Sequence, residues 1–266
     1  MRVLVIGVGN MGSTYVRCLL NSHFTSSEQL FLFDKKALPS QAIKHVSPQN
    51  VLTEPSKEIS TADIIMLAVK PQDFAELSAQ IAPFLNSNQI VLSIMAGVKI
   101  AEISNLLNVP KVVRAMPNLP AQIGMGMTVF SSASGLDKSE LLTIQNLLNT
   151  TGKTIYVENE ELLNVATAIS GSGPAYVFYF MNEMISKAME LGFRKAEAEL
   201  MVTQTFLGAV HLLGNNDLSC SEWIAKVASK GGTTEAALKS FSENTMHHSI
   251  SSGVQAAFNR AVELGK

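Results

Sequence analysis

The chain opens with a short apolar run, Val3 to Ile6, that leads straight into Gly7-x-Gly9-x-x-Gly12. A β-branched apolar run of this length reads as a buried strand. Glycines at this spacing, after a strand and before a helix, read as the turn of a dinucleotide-binding βαβ unit. Gly7 permits the tight turn, Gly9 lets the backbone approach a pyrophosphate, and Gly12 lets the helix lie close on the strand. The helix expected from about Asn10 points free N–H groups and its positive dipole end at an anion. Gly7, Gly9, Asn10, Met11 and Gly12 are therefore the expected phosphate contacts. A merely tight strand-to-helix turn uses the same glycines, and that alternative stays open here.

At 266 residues the chain can bury a substantial core, in one large or two modest domains. A net charge of −2 without a basic run argues against a nucleic-acid surface. Cys18 and Cys220 are too few for a disulfide framework and fit a reducing cytoplasm, the expected location. The first apolar run is too short for a secretory signal. The most apolar long window, Leu162 to Met181, is broken by Ser170-Gly-Ser-Gly-Pro174 and does not read as a membrane span.

Up to about residue 158, short apolar runs alternate with helix-like segments. Expected strands are Val3–Ile6, Leu30–Phe33, Ile64–Ala68, Ile90–Ser93, Val112–Ala115, Thr128–Ser131 and Thr154–Val157. Such alternation implies a parallel sheet covered on both faces. The runs around Val129 and Ile155 leave little room for a full crossover before the first of them, so one of them is expected to be antiparallel. After about Glu160 the pattern is helical. Pro174 suits a first turn, and its helix runs to Gly192. Further helices are expected from about Lys195 to Gly214, after a cap at Asp217 or Ser219, from Thr233-Thr234, and from Met246 to Gly265. The expected domains are residues 1–160 and 161–266. The helix from Ala175 to Leu191 is apolar on almost every face in its first half, with Tyr176, Val177, Phe178, Tyr179, Phe180 and Met181 in succession. Such a helix must be covered all round. A partner subunit is the natural cover for a domain of this size, the alternative being the central helix of a single-chain bundle.

Several later stretches resemble pyrroline-5-carboxylate reductases: Ala68-Val-Lys-Pro71, Ser93-Ile-Met-Ala-Gly97, Arg114-Ala-Met-Pro-Asn118 and Gly124-x-Gly126-Met-Thr128. The more specific ones follow, Ala168-Ile-Ser-Gly-Ser-Gly-Pro-Ala-Tyr176 and Ser229-Lys-Gly-Gly-Thr-Thr234. They stand in the family's order over nearly the whole chain. Leu119 departs from the threonine that commonly follows Met-Pro-Asn in the family and removes a hydroxyl near the expected nicotinamide end. Met95 replaces a more usual alanine. The resemblance implies an α/β Rossmann-type N-terminal domain and an all-α C-terminal dimerisation domain that builds an intertwined homodimer, often joined into a larger ring. It also implies reduction of L-1-pyrroline-5-carboxylate to L-proline by NADPH or NADH.

That substrate carries a ring imine and a carboxylate. Ser229, Gly231, Gly232 and Thr233 precede or open a helix, where clustered N–H donors and the helix dipole make a carboxylate site; a flexible turn capped by Thr233 is the plainer alternative. By resemblance Thr234 hydrogen-bonds the imine nitrogen and assists proton delivery, its alternative role being to cap the helix. Ser170 to Gly173 are small enough for close approach of cofactor, substrate or another helix. Ala68, Lys70 and Pro71 follow a strand's carboxyl end, the edge where open α/β sheets bind ligands. Ala96 and Asn118 also follow strand ends and are expected near the nicotinamide half. Asp34 ends the second strand, where an acid accepts hydrogen bonds from NAD ribose hydroxyls. Lys35 and Lys36 follow it and can neutralise a 2′-phosphate. The resemblance favours NADPH, with NADH as the second possibility.

His247 and His248 adjoin on a helix and diverge by about 100°, and no histidine or cysteine spacing suggests a metal. Another imine reductase or a 3-hydroxyacid reductase of similar organisation would be the competing enzyme. The hydroxyacid enzymes place a catalytic lysine early in the second domain, whereas here no lysine of that helix precedes Lys187. A non-catalytic nucleotide-binding paralogue is the remaining alternative, and the intact glycine loop and the Ser229–Thr234 segment argue against it.

Overall fold

The computed structural model describes residues 1–35, 44 and 46–265. Strand β1 (Val3–Ile6) enters helix α1 (Asn10–Asn21), and β2 (Leu30–Phe33), β3 (Val51–Leu52) and β4 (Ile64–Leu67) follow. Next come α2 (Pro71–Ile81), β5 (Ile90–Ser93), α3 (Ile100–Leu107), β6 (Val112–Met116), β7 (Gly126–Ser132), α4 (Lys138–Asn149) and β8 (Gly152–Tyr156). The eight strands form one sheet in the order β3-β2-β1-β4-β5-β6-β7-β8. Its first six strands in that order are mutually parallel.

The sheet is buried on both faces, and alternation along each strand decides what goes where. Val3 and Val5 of β1 join the cluster with Tyr15, Val16 and Leu19 of α1 and Ile144, Leu147 and Leu148 of α4. Leu4 and Ile6 join the opposite cluster with Phe74, Leu77 and Ile81 of α2 and Ile103 and Leu107 of α3. This is a Rossmann-type sheet, and its direction reverses between β6 and β7. The connecting segment 117–125 holds a 3₁₀ turn at Leu119–Ile123. It is shorter than the dozen or so residues a parallel crossover needs. β8 pairs parallel with β7 after the α4 crossover, so both late strands run against the first six, where the sequence suggested one. The edge strand β3 was not foreseen, because two residues carry no legible period. Arg114 of β6 is buried and pairs with Glu160 at 2.9 Å. Glu160 also accepts the Ile100 N–H at 2.9 Å, securing the first turn of α3.

Beyond the sheet lie α5 (Leu162–Ala166), a π-helical turn (Thr167–Gly171), α6 (Gly173–Glu190), α7 (Lys195–Gly214), α8 (Cys220–Val227), α9 (Thr233–Glu243) and α10 (Met246–Glu263). The chain parts into two compact units, residues 1–172 with 257–266, and residues 173–256. In the second unit α6 packs on α7, where the rings of Phe180 and Phe206 meet edge to face at 5.9 Å. α6 contains no buried residue, and Phe178 and Tyr179 are 59% and 70% exposed. α8 is capped by Ser219 rather than Asp217. The Ser219 hydroxyl accepts the Glu222 N–H while the Glu222 carboxylate accepts the Ser219 N–H, a reciprocal box.

Candidate functional site

β1 lies between β2 and β4, so its carboxyl end is where the strand order turns back on itself. That is the ligand-binding crevice of an open α/β sheet. The glycine loop sits there. Gly7 has φ +90°, and a Cβ on it would stand 2.7 Å from the Ala68 backbone. Gly12 is pressed closer still, since its Cβ would come 1.9 Å from the Gly7 carbonyl oxygen. A Cβ on Gly9 would meet nothing within 4 Å. Gly7 and Gly12 thus satisfy packing, and Gly9 leaves open room on the crevice side. Gly9 is also the N-cap of α1 and offers no side-chain acceptor. The first-turn N–H groups of Asn10, Met11 and Gly12 have no carbonyl one turn earlier in the helix to bind. An uncapped helix start with open space before it fits a pyrophosphate.

A cavity of about 450 Å³ adjoins the loop, lined by Gly7, Gly9, Asp34, Lys35, Ala68, Lys70 and residues of α2. Asp34 accepts the Val8 N–H at 2.7 Å, so one carboxylate oxygen holds the glycine loop in shape. Lys35 forms an ion pair with Asp73 at 2.7 Å. Neither partnership was read from the sequence. An acid in the first turn of the helix after a ligand-edge strand was the available signal for Asp73. Lys36 lies outside the described residues. Lys70 is the exposed N-cap residue of α2, and Pro71 occupies its first position.

Ala96 and Asn118 follow β5 and β6 on the same sheet edge. The loop of Ala96 is fixed by Gly97, which has φ +83° and whose Cβ would stand 2.3 Å from the Leu264 carbonyl oxygen. The Asn118 amide donates to the Ser170 carbonyl at 3.1 Å, and its oxygen accepts the Met127 N–H at 2.9 Å. It therefore ties the π turn to the start of β7. Gly171 lies close to Met116 in that turn, since a Cβ there would come 3.0 Å from its Cε. Wide turns of this kind recur at functional sites. Leu119, beside Asn118, is 48% exposed.

The segment Ser229–Thr234 lies in the second unit. Gly231 has φ +73°, and Gly232 is the N-cap of α9. A glycine N-cap has no side chain with which to close the helix, and the two threonines stand inside the first turn. Neither Thr233 nor Thr234 is thus the N-cap. Two of the expected free donors are engaged. The Gly231 N–H donates to the Glu235 carboxylate at 2.6 Å, and the Gly232 N–H donates to the Ser229 carbonyl at 3.0 Å. Glu235 thereby occupies one of the N–H donors expected for a substrate carboxylate. The first-turn N–H groups of Thr233 and Thr234 have no carbonyl within the helix to bind.

Residues 160–264 match the family model for pyrroline-5-carboxylate reductase dimerisation. Residues 2–97 match that for NADP oxidoreductase, coenzyme F420-dependent. The pyrroline-5-carboxylate reductase of Pasteurella multocida is 32% identical, over 99% of this chain and 98% of its own. That of Staphylococcus haemolyticus is 30% identical, over 100% and 98%. The chain belongs to the pyrroline-5-carboxylate reductase family. Among solved members, the Plasmodium falciparum pyrroline carboxylate reductase with NADP bound superposes with a TM-score of 0.89 at 25% identity, covering 100% of this chain and 98% of that one. The Coxiella burnetii pyrroline-5-carboxylate reductase gives 0.87 at 29% identity, with the same coverage. Among the described residues no group of histidine, cysteine and acidic side chains could hold a metal ion, and no helix is long and apolar enough to cross a membrane.

Proposed function

We propose that this chain reduces L-1-pyrroline-5-carboxylate to L-proline with NADPH, and with NADH as a second donor. The observation that carries the reading is the full-length likeness to reductases of this name, which spans both the glycine loop and the Ser229–Thr234 segment. A bound nicotinamide supplies the hydride. Gly7, Gly9, Asn10, Met11 and Gly12 hold the pyrophosphate on the uncapped start of α1. Asp34, Lys35 and Lys36 bind the adenosine ribose and its 2′-phosphate. Ala68, Lys70, Pro71, Ala96 and Asn118 line the path toward the nicotinamide, with Asn118 acting through the backbone it organises.

Ser229, Gly231, Gly232 and Thr233 take the substrate carboxylate. The Thr234 hydroxyl hydrogen-bonds the ring nitrogen, donating to the neutral imine and accepting the N–H of the protonated one. A bound nicotinamide would supply hydride to the imine carbon, and the C=N π pair would pass to the nitrogen, which either already carries its proton as the iminium or takes one from water through the Thr234 hydroxyl. A cyclic imine is basic enough to be substantially protonated near neutrality, so a hydroxyl in place of a strong acid is adequate.

The functional division is residues 1–160 for the cofactor and 161–266 for substrate and dimerisation. The working unit is a homodimer, assembled into a larger ring. The unpaired Cys18 and Cys220 suit a reducing cytoplasm. The deciding experiment is an initial-rate assay of purified, folded protein with pyrroline-5-carboxylate and each nicotinamide cofactor in turn. Absence of substrate-dependent oxidation with both cofactors would refute the assignment.

A further inference from the structure

The nucleotide cavity contains a charge cluster that the glycine motif does not explain. Lys35 follows β2, and Asp73 stands in the first turn of α2. Their side chains meet at 2.7 Å. Glu76, one turn further along α2, and Asp34 line the same cavity. The Asp73 carboxylate pushes the Lys35 ammonium above its ordinary range, and Glu76 and Asp34 act in the same direction. The pair faces solvent, with the Lys35 and Asp73 side chains 57% and 34% exposed, so its partners can exchange.

We propose that Asp73 is a specificity-determining residue for the cofactor, because it competes with the 2′-phosphate of NADPH for Lys35. The inference rests on the reading that Lys35 lies at the ribose end of the bound nucleotide. A 2′-phosphate carries between one and two negative charges and needs a cation, whereas the 2′-hydroxyl of NADH does not. With Lys35 held by Asp73, the phosphate must draw the ammonium away and also stand near two further carboxylates. Both costs fall on NADPH alone, since the two nucleotides share every other contact. Asp73 therefore narrows the preference for NADPH that Lys35 would otherwise give. As an acid in the first turn it also suits the dipole of α2, so one side chain serves helix and pocket.

The test is a fluorescence titration of NADPH and of NADH, without substrate, on the wild type, Asp73→Asn, Lys35→Ala and the double variant. Asp73→Asn is expected to tighten NADPH about three- to tenfold while NADH stays within about twofold. The tightening should vanish when Lys35 is also alanine, and should shrink as salt is raised to about 0.5 M. An equal shift for both nucleotides, or a tightening that survives Lys35→Ala, would overturn the proposal. Binding is read apart from turnover. A chain that binds both cofactors yet fails to reduce pyrroline-5-carboxylate would therefore refute the proposed reaction and leave this result standing. A wild type that binds neither nucleotide would overturn both.

Discussion

Thr234 follows a glycine N-cap, so its hydroxyl is not the group that closes the first turn of α9. Removing it should leave stability nearly unchanged, which separates chemistry from folding. Thr234→Ala is expected to lower turnover about 10- to 1000-fold, the span from modest to full general-acid assistance, whereas Thr234→Ser keeps much more. Turnover and melting temperature measured on both variants check this, and wild-type turnover in the alanine variant would remove Thr234 from the chemistry. Lys35 is judged in the same manner. Replacing Lys35 and Lys36 together with alanine should weaken NADPH more than NADH, through loss of charge pairing with the 2′-phosphate. Equal weakening would show that these lysines do not read that phosphate.

At the scale of elements, α1 and α4 start in opposite ways. α1 begins at a bare glycine, leaving its first turn open to a ligand, whereas α4 is closed by Asp137 and Glu140 in a reciprocal box. Asp137→Ala should therefore cost about 1 kcal/mol, read as a lowered denaturant midpoint, without touching cofactor affinity. Gly12→Ala is expected to do far more. Its added methyl would drive into the Gly7 carbonyl, costing at least about 2 kcal/mol and displacing the glycine loop. Loss of both stability and NADPH binding in that variant is the expected signature; loss of neither would show that the strand–helix contact has slack.

Among the described residues, α1 and α4 cover one face of the sheet and α2 and α3 the other, while the 173–256 unit exposes its apolar side chains. Phe178, Tyr179, Leu200 and Val210 each stand more than half exposed, on consecutive helices. Apolar surface on this scale marks an interface. Light scattering at micromolar concentration should give the mass of a dimer or a multiple of it, and a monomer would contradict the assembly. Introducing glutamate at both Phe178 and Tyr179 should shift the mass toward the monomer, since a buried unpaired charge is costly.

What the sequence determined by itself were features written in local pattern. The strand before Gly7, the glycine spacing, the helix from Lys195 to Gly214 and the seven longer strands all follow from apolar period and from residues that only certain turns tolerate. The Ser-Gly-Ser-Gly-Pro and Ser-x-Gly-Gly-x-Thr stretches carried the family in the same local way. Only the tertiary structure decided the rest. β3 is two residues that become a strand because β2 offers them an open edge. β7 and β8 both reverse, because one short connection turns the chain and the α4 crossover then preserves the new direction. Asn118 is placed on a ligand-facing edge by pattern, yet its amide binds Ser170, a partner 52 residues away. Lys35 and Asp73 are 38 residues apart and meet only because β2 and β4 flank β1. Sequence period sets what each segment is. Which side chains share a pocket depends on how strands are ordered, and no local pattern holds that information.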